Sequence, residues 1–273
     1  RPSHPGEDRM TTPDVPLRLE MRFELAASPE QVWDAIATAE GISSWFLPTE
    51  LDGREGGAIV THMGEDASSP GEVTGWDPPR RLVYSKPDWA ALTGHEGADV
   101  TPLVSEFLVE AQSGGTTVVR VVSSAFGTGA QWEQEFFDGM RAGWEPFFSH
   151  LELYLSDFAG RHAAFLEAGK EQDRPADAMW RAMTSGLELP DQVGKPVELR
   201  GLSGSLRRLR DKHALVRLTD PYPGYAALWC GDTPQGGTFA QVHAYLFHPD
   251  AENYVQREQP GWKAWLGGLE ESA

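Results

Sequence analysis

Residues Gln131 to Phe158 read QWEQEFFDGMRAGWEPFFSHLELYLSDF. Their large apolar side chains, Trp132, Phe136, Met140, Trp144, Phe147, Leu151, Tyr154 and Phe158, recur at spacings of three and four, which is one stripe of an α-helix. At 1.5 Å per residue the segment is about 40 Å long, enough to cross a whole domain. Six of the eight side chains are aromatic, and so bulky a stripe needs a concave partner. Pro146 lies inside the pattern, where it removes a backbone hydrogen bond and crowds the preceding turn, so a kink is expected near Ala142 to Glu145.

The residues before this helix read as the sheet that wraps it. Leu17 to Leu25, LRLEMRFEL, alternates strictly and puts Leu17, Leu19, Met21, Phe23 and Leu25 on one face, the pattern of a half-buried antiparallel strand. Ser28-Pro29-Glu30-Gln31 then supplies a capping box with proline at the first helical position, opening a short helix that carries Val32, Trp33 and Ile36. Glu40-Gly41 is expected to break it, with a second short helix over Ile42 to Phe46 ending at Pro48. From Ala58 onward the signal is β: Ala58 to Met63, Glu72 to Trp76, Arg81 to Ser85, Ser105 to Glu110 and Thr116 to Ser124, with turns at Asp77-Pro78-Pro79 and Ser113-Gly114-Gly115.

This order, strand, two short helices, about five strands and a long helix, resembles the START-like or helix-grip (SRPBCC) superfamily, and within it the branch of activators of heat-shock-protein ATPase. The residues that carry the resemblance are Ser28-Pro29-Glu30-Gln31-Val32-Trp33, Trp45-Phe46, Gly75-Trp76-Asp77-Pro78-Pro79-Arg80-Arg81-Leu82, Gly115-Thr116-Thr117-Val118, and Gly143-Trp144 with Leu151. One departure is Ser123-Ser124-Ala125-Phe126, where relatives often carry His-Ser-Gly-Phe.

The second half repeats the first. Gly143-Trp144 with Leu151-Glu152 is matched by Gly261-Trp262 with Leu269-Glu270, Phe136 by Tyr254, and Trp33-Asp34-Ala35-Ile36 by Trp180-Arg181-Ala182-Met183. Strand-like runs over Val197 to Arg200, Leu206 to Arg210, Ala214 to Thr219, Tyr225 to Cys230 and Phe239 to Phe247 lie between. The chain therefore reads as an α+β tandem of two helix-grip domains, residues 1–158 and 159–273, each an antiparallel sheet curved around a long carboxy-terminal helix. The copy is shortened: Trp33 to Trp144 spans 111 positions (144 − 33) and Trp180 to Trp262 only 82 (262 − 180). Phe158 to Gln172 is expected to continue as a connecting helix. This di-domain layout resembles proteins encoded with enediyne antibiotic biosynthesis of the dynemicin type.

Composition narrows the function. A formal charge of −18 over 273 residues argues against a nucleic-acid surface, since the field repels phosphates. The single cysteine, Cys230, cannot form an internal disulfide and fits a cytoplasmic location. The amino-terminal RPSHPGEDRM has no apolar run and reads as neither signal peptide nor membrane anchor, so no membrane insertion is expected. Eight scattered histidines, with no His-Glu-x-x-His and no cysteine cluster, argue against a metal, and no cofactor is implied. Gly127-Thr128-Gly129 precedes the long helix as a phosphate loop would, but Trp132 stands where the third glycine of a dinucleotide motif belongs, so it reads as a turn. Gly201-Leu202-Ser203-Gly204 is no nucleophile elbow, because Ser205 follows where the pattern needs glycine. Arg200, Arg207, Arg208, Arg210 and Lys212 read as the solvated face of an amphipathic β pair. Glu135 and Glu106 read as exposed.

The grip fold implied by the resemblance commonly leaves an apolar hollow beneath its long helix. The residues expected to line it are Trp132, Phe136, Met140 and Trp144 on the helix, His62 and Tyr84 on strands of the first half, and His243 and Tyr245 on a strand of the second. The function expected is binding of an elongated hydrophobic small molecule, such as a polyketide or polyene intermediate of specialised metabolism, under the helix and between the domains. Turnover of the cyclase or dehydratase kind stays open, because no convergent acid and base set can be read. The alternative is a chaperone-ATPase regulator, which the branch name implies. Those co-chaperones add an Asn- and Trp-rich amino-terminal domain, whereas the one asparagine here is Asn253.

Overall fold

The computed structural model describes residues 13–64, 67–233 and 237–269. The first half forms β1 (Val15–Leu25), α1 (Pro29–Ala37), α2 (Ala39–Ser43), β2 (Thr49–Leu51), β3 (Ala58–His62), β4 (Ser68–Asp77), β5 (Arg81–Lys86), a 3₁₀ turn (Trp89–Thr93), β6 (Leu103–Ala111), β7 (Thr117–Gly127) and α3 (Gln131–Asp157). The second forms β8 (Ala164–Gln172), α4 (Ala176–Gly186), β9 (Pro196–Leu199), β10 (Leu202–Arg210), β11 (His213–Asp220), β12 (Gly224–Asp232), β13 (Thr238–Leu246) and α5 (Ala251–Gly268).

The two sheets share one topology. Seven strands run in the order β1-β7-β6-β5-β4-β3-β2 and six in the order β8-β13-β12-β11-β10-β9, each an antiparallel meander closed by pairing its first strand with its last. The tandem α+β reading therefore holds. The second copy differs by one strand and by having one short helix where the first has α1 and α2.

Local chemistry explains most boundaries. Ser28 Oγ accepts from the Gln31 amide while the Gln31 side chain accepts from Ser28 N, the reciprocal cap expected for α1. The break between α1 and α2 falls at Thr38, not at Glu40-Gly41. Thr38 is extended (φ −122, ψ 148) and its Oγ1 accepts from Gly41 N, so Gly41 sits inside α2, where a Cβ would lie 1.9 Å from the Asp34 carbonyl oxygen. Glycine is required there by close approach.

The larger correction concerns residues 158 to 172. No connecting helix forms; Ala164–Gln172 is β8, paired with β13 over nine residues from Leu246↔Ala164 to Thr238↔Gln172. Its alanines, glutamates and lysine favour a helix, yet tertiary context decides: without β8, β13 would be an open edge. Leu166 and Ala168 enter the second core, while Phe165 and Glu167 face the other way.

That other way is toward the first half. On one side of α3, Phe148 stacks on Phe23 of β1 at 3.5 Å, Trp144 stacks on Phe46 at 5.0 Å, and Trp144 meets Phe107 of β6. On its other side Phe158 stacks on Phe247 at 4.1 Å, Tyr154 on Phe247, and His150 lies against Tyr225 and Tyr245. Alternation in β12 and β13 therefore serves two cores. Ala226, Leu228, Val242 and Ala244 face α4 and α5, whereas Tyr225, Ala227 and Tyr245 join the core built on α3. The layers run first sheet, α3, second sheet, then α4 with α5. Among the described residues no helix is long and apolar enough to cross a membrane.

Two hydroxyls fasten the seam: Tyr225 donates to the Ser44 carbonyl at 2.5 Å and Tyr245 to the Phe46 carbonyl at 2.8 Å. Removing one leaves a buried carbonyl unpaired, so Tyr225→Phe is expected to lower unfolding free energy by about 1–3 kcal/mol, read by denaturant titration. Residues 13–158 expressed alone expose Phe147, Tyr154 and Phe158; they are expected to melt below the full chain and to bind an anilinonaphthalene dye that the full chain binds weakly. Equal melting temperatures would show that the second sheet is not needed to cover α3.

Candidate functional site

The concave face of the first sheet is built by alternation. Leu17, Leu19 and Met21 of β1, Phe107 and Val109 of β6, and Val119, Val121 and Ala125 of β7 all point to α3. Toward the β3–β5 side this apolar wall becomes polar. Thr61 and Ser69 are buried, Ser105 Oγ and Ser123 Oγ share a hydrogen bond of 2.9 Å, and Lys86 reaches in from the end of β5. Leu82, Tyr84 and Lys86 follow one another on the inward side of β5.

The helix divides into two parts. From Trp144 onward most of the apolar side chains are deeply buried: Trp144, Phe148, Leu151, Tyr154 and Leu155 are closed from solvent by the two sheets, and Phe147 alone of the stripe stays half-buried. Before Trp144 the residues Trp132, Phe136 and Met140 are only half-buried. They are held by Trp89 of the 3₁₀ turn, whose ring lies 4.8 Å from Phe136 and 5.4 Å from Trp132, and by His95, stacked on Trp132 at 4.1 Å. The start of α3 is fixed by Glu133, which is buried and accepts from Thr128 N, Thr128 Oγ1 and Gly129 N, each at 2.9 Å. The amides of Thr128 and Gly129 are thus taken by an internal carboxylate, and Gly127-Thr128-Gly129 is a turn, as read from the sequence.

The eight residues expected to line one hollow fall into three places. Trp132, Phe136, Met140, Trp144 and Tyr84 belong to the concave side of the first sheet, with Trp144 in contact with Phe107 and Phe107 stacked on Tyr84 at 6.0 Å. His62 does not join them. Ile59 and Thr61 take the inward positions of β3, so His62 faces out and pairs with Glu50 at 2.9 Å. His243 and Tyr245 lie across α3, in the seam with the second sheet.

Where an apolar hollow between the halves was expected, the seam centre is filled by stacked rings, and clefts open at its edge. One of about 930 Å³ is bounded by Arg22, Glu24, Glu145, Glu152, Arg208 and His213. A second of about 540 Å³ lies beside it, between Leu25, Glu152 and Arg207. Their lips are charged because β10 reaches across: Arg208 donates to Ser149 Oγ at 2.6 Å and pairs with Glu152, and Arg217 of β11 pairs with Asp157 at 2.6 Å. The run Arg200 to Lys212 is therefore not one solvated face, since Arg208 docks on α3 and Lys212 pairs with Asp177 and Asp211.

The sequence names His243 as a candidate, but not the other seam histidines, His150 and His213, nor Lys86. His150 on α3, His213 on β11 and His243 on β13 are all buried, and neither ring nitrogen of His150 has a protein partner. His150 and His213 are 5.9 Å apart, ring to ring, and His243 Nε2 stands 3.4 Å from Glu167 Oε1. Alternation in β11 put His213 on a face with Leu215 and Arg217, and a face shared by histidine, leucine and arginine was the available signal. Among the described residues no three or more His, Cys, Asp or Glu are placed to hold a metal ion. Cys230 packs against Met183 in the second core, and burial pushes its thiol up to about 12, well away from nucleophilic use.

Burial, followed by the charges of His213 and His243, holds His150 well below the ordinary histidine range; burial, followed by Arg208 and Arg210, pulls His213 down to about 4. The unfolded chain takes up these protons near the ordinary 6.5, so folding is favoured fully above that pH and loses support as pH falls toward 4. For His213 alone the displacement corresponds to on the order of 3 kcal/mol. Unfolding free energy measured from pH 7.5 to 4.5 is expected to fall more steeply in the native protein than in a His150→Gln, His213→Gln double variant.

Residues 26–156 match the family described as Activator of Hsp90 ATPase homolog 1-like protein. Among solved structures, CalU16 from Micromonospora echinospora is 23% identical, the match covering 51% of this chain and 76% of that one at a TM-score of 0.40. The di-domain ARO/CYC BexL from the BE-7585A biosynthetic pathway is 15% identical over 94% of this chain and 98% of its own, at a TM-score of 0.43. DynU16, from the dynemicin biosynthetic locus, is 15% identical over 94% and 97%, at a TM-score of 0.42. No curated protein matches the chain. The family match thus falls on the helix-grip domain that the sequence announced at Ser28-Pro29-Glu30-Gln31 and at Gly143-Trp144.

Proposed function

We propose that this protein binds an elongated, largely apolar small molecule, of the polyketide or polyene kind, between the amino-terminal half of α3 and the concave face of the first sheet. The observation that carries the reading is the contrast along α3. Of the stripe from Trp144 on, Trp144, Leu151, Tyr154 and Phe158 are buried and Phe147 alone is half-buried, whereas Trp132, Phe136 and Met140 all stay half-open above an otherwise buried wall. Apolar area left open to water costs about 25 cal/mol per Å², and a contiguous stretch of it beside a concave surface is what a ligand mouth needs. From Trp132 to Trp144 the helix rises about 18 Å, a length that matches a chain-like ligand better than a compact ring.

The seam enters this reading as support, not as the hollow itself. Its stacked rings hold the far half of α3 in place, so the near half is presented on a rigid element. Binding is the activity that these residues support; on the concave wall hydroxyls and one amine face apolar rings, with no paired acid and base among the described residues.

Titration of the full chain with Nile red tests the site. Phe136→Asp and Met140→Glu are expected to weaken dye affinity at least tenfold while the far-ultraviolet circular dichroism stays native. Quenching of tryptophan emission on ligand addition is expected to follow the same order. Unchanged dye affinity in folded variants of both kinds would move the site elsewhere.

A further inference from the structure

Lys86 is the one charged side chain on the inward face of β5, and among the described residues it has no charged partner. Its Nζ donates to Thr61 Oγ1 at 3.1 Å, to Ser69 O at 3.0 Å and to Ser69 Oγ at 3.0 Å, and it stands 5.8 Å from the centre of the Tyr84 ring. These acceptors are neutral. They satisfy the three N–H groups of the ammonium but leave its charge uncompensated in a half-buried position. A surface lysine gains nothing by being held this way. The sequence meets the ordinary needs of a strand end with exposed side chains elsewhere, as with Arg81 at the other end of β5, which pairs with Glu106 at 2.5 Å.

The surroundings fit an incoming anion. Thr61 Oγ1 and Ser69 Oγ accept from Lys86, so their own protons are free to turn toward a ligand oxygen; a hydroxyl that accepts a charge-assisted bond is also a better donor. Thr49 Oγ1, 3.5 Å from Thr61 Oγ1, is committed to the Leu47 carbonyl and donates away from the site. The aromatic path that links α3 to this corner is continuous: Trp144 touches Phe107, Phe107 stacks on Tyr84, and the Tyr84 ring faces the amine. An apolar chain lying along the half-open rings of α3 thus ends at a cation flanked by two hydroxyl donors.

We infer that the ligand is an amphiphilic acid, whose carboxylate is held by Lys86 Nζ with the hydroxyls of Thr61 and Ser69 while its apolar body lies under Trp132, Phe136 and Met140. This deepens the binding reading given above and rests on it. Burial lowers the Lys86 ammonium from 10.5 to about 8, and no carboxylate among the described residues offsets that loss. Among the described residues the groups that face it are Thr61 from β3, Ser69 from β4 and Tyr84 from β5; of these only Tyr84 titrates, and burial pushes it up to about 12. A carboxylate beside the amine restores a charged form that the empty wall disfavours.

The test uses the full chain with cis-parinaric acid, a fluorescent linear polyene, and its methyl ester. The native protein at pH 7 is expected to bind the acid at least tenfold more tightly than the ester, and Lys86→Met to bring the ratio near one, with Lys86→Arg keeping most of it. In the native protein the preference should also fade as pH is raised from 7 to 10, although the probe stays ionised throughout. If Lys86→Met does not fold, this pH profile decides. Ester binding without any preference for the acid, or a preference that survives both Lys86→Met and pH 10, overturns the inference and leaves apolar binding intact. If neither probe binds the native protein, the binding reading falls, and the role of Lys86 falls with it.

Discussion

Everything in this molecule depends on burying one helix from two sides. A strip of apolar residues at three- and four-residue spacing covers somewhat more than a quarter of a helix and needs one partner. The carboxy-terminal half of α3 has more than a strip. Phe148 faces the first sheet, His150 and Tyr154 face the second, and Leu151, Leu153 and Leu155 are buried too, so two sides of the helix are closed from Trp144 on while Glu145, Glu152 and Ser156 keep a solvated edge. A helix apolar on two sides needs two partners, and here the second domain supplies the second. Conversely, β11, β12 and β13 are buried on both faces over most of their length, unlike an antiparallel sheet with one solvated face. The two halves are obligatory to each other through this shared layer.

The polar content of the seam follows from the same geometry. Burying a sheet face against a helix leaves the carbonyls that end α2 without water, and the hydroxyls of Tyr225 and Tyr245 reach across to Ser44 and Phe46 to satisfy them. Arg161 adds a bond to the Phe247 carbonyl from the connection between the halves. The histidines fit less comfortably. His150, His213 and His243 fill ring-shaped space as aromatics, but their nitrogens remain mostly without hydrogen-bond partners, and for His150 and His213 burial disfavours the charged form. The seam is therefore tightly packed yet sensitive to protonation.

Much of this was legible in the residues, and the failures have physical reasons. The α3 stripe, the capping box at Ser28, the strict alternation of β1 and the Gly-Trp match between Trp144 and Trp262 each specify an element locally. Their order specifies the topology twice. Residues 158 to 172 defeated local reading because Ala, Glu and Lys favour a helix while a nine-residue pairing with β13 demanded a strand. The internal repeat held the answer, since a copy of the first half must open with a strand before its first helix. His62 was misplaced by one position in a two-residue period, which turns a side chain to the opposite face of the sheet. Lys86 was missed because a lysine two residues beyond Tyr84 looks like the frayed end of a strand; only the placement of Thr61 and Ser69 shows it turned inward.

The division of α3 then gives the fold its functional logic. Ligand-binding surfaces carry exposed apolar groups and isolated charges, both of which destabilise the domain that holds them, so they need support from a part of the structure that is over-determined. Trp144 marks the change. After it, two sheets and the ring stacks of Phe148, Tyr154 and Phe158 fix the helix. Before it, the helix meets the first sheet and the Trp89 turn, and the stripe stays half-open. A stand-alone grip domain must stabilise the helix and present it with the same residues. Here the second copy takes over the stabilising task by packing its outer face on the far half, so the near half can keep an open row of rings and an uncompensated amine. On this argument the shortened copy needs no ligand hollow of its own: its sheet is already committed on both faces, to α5 within and to α3 without.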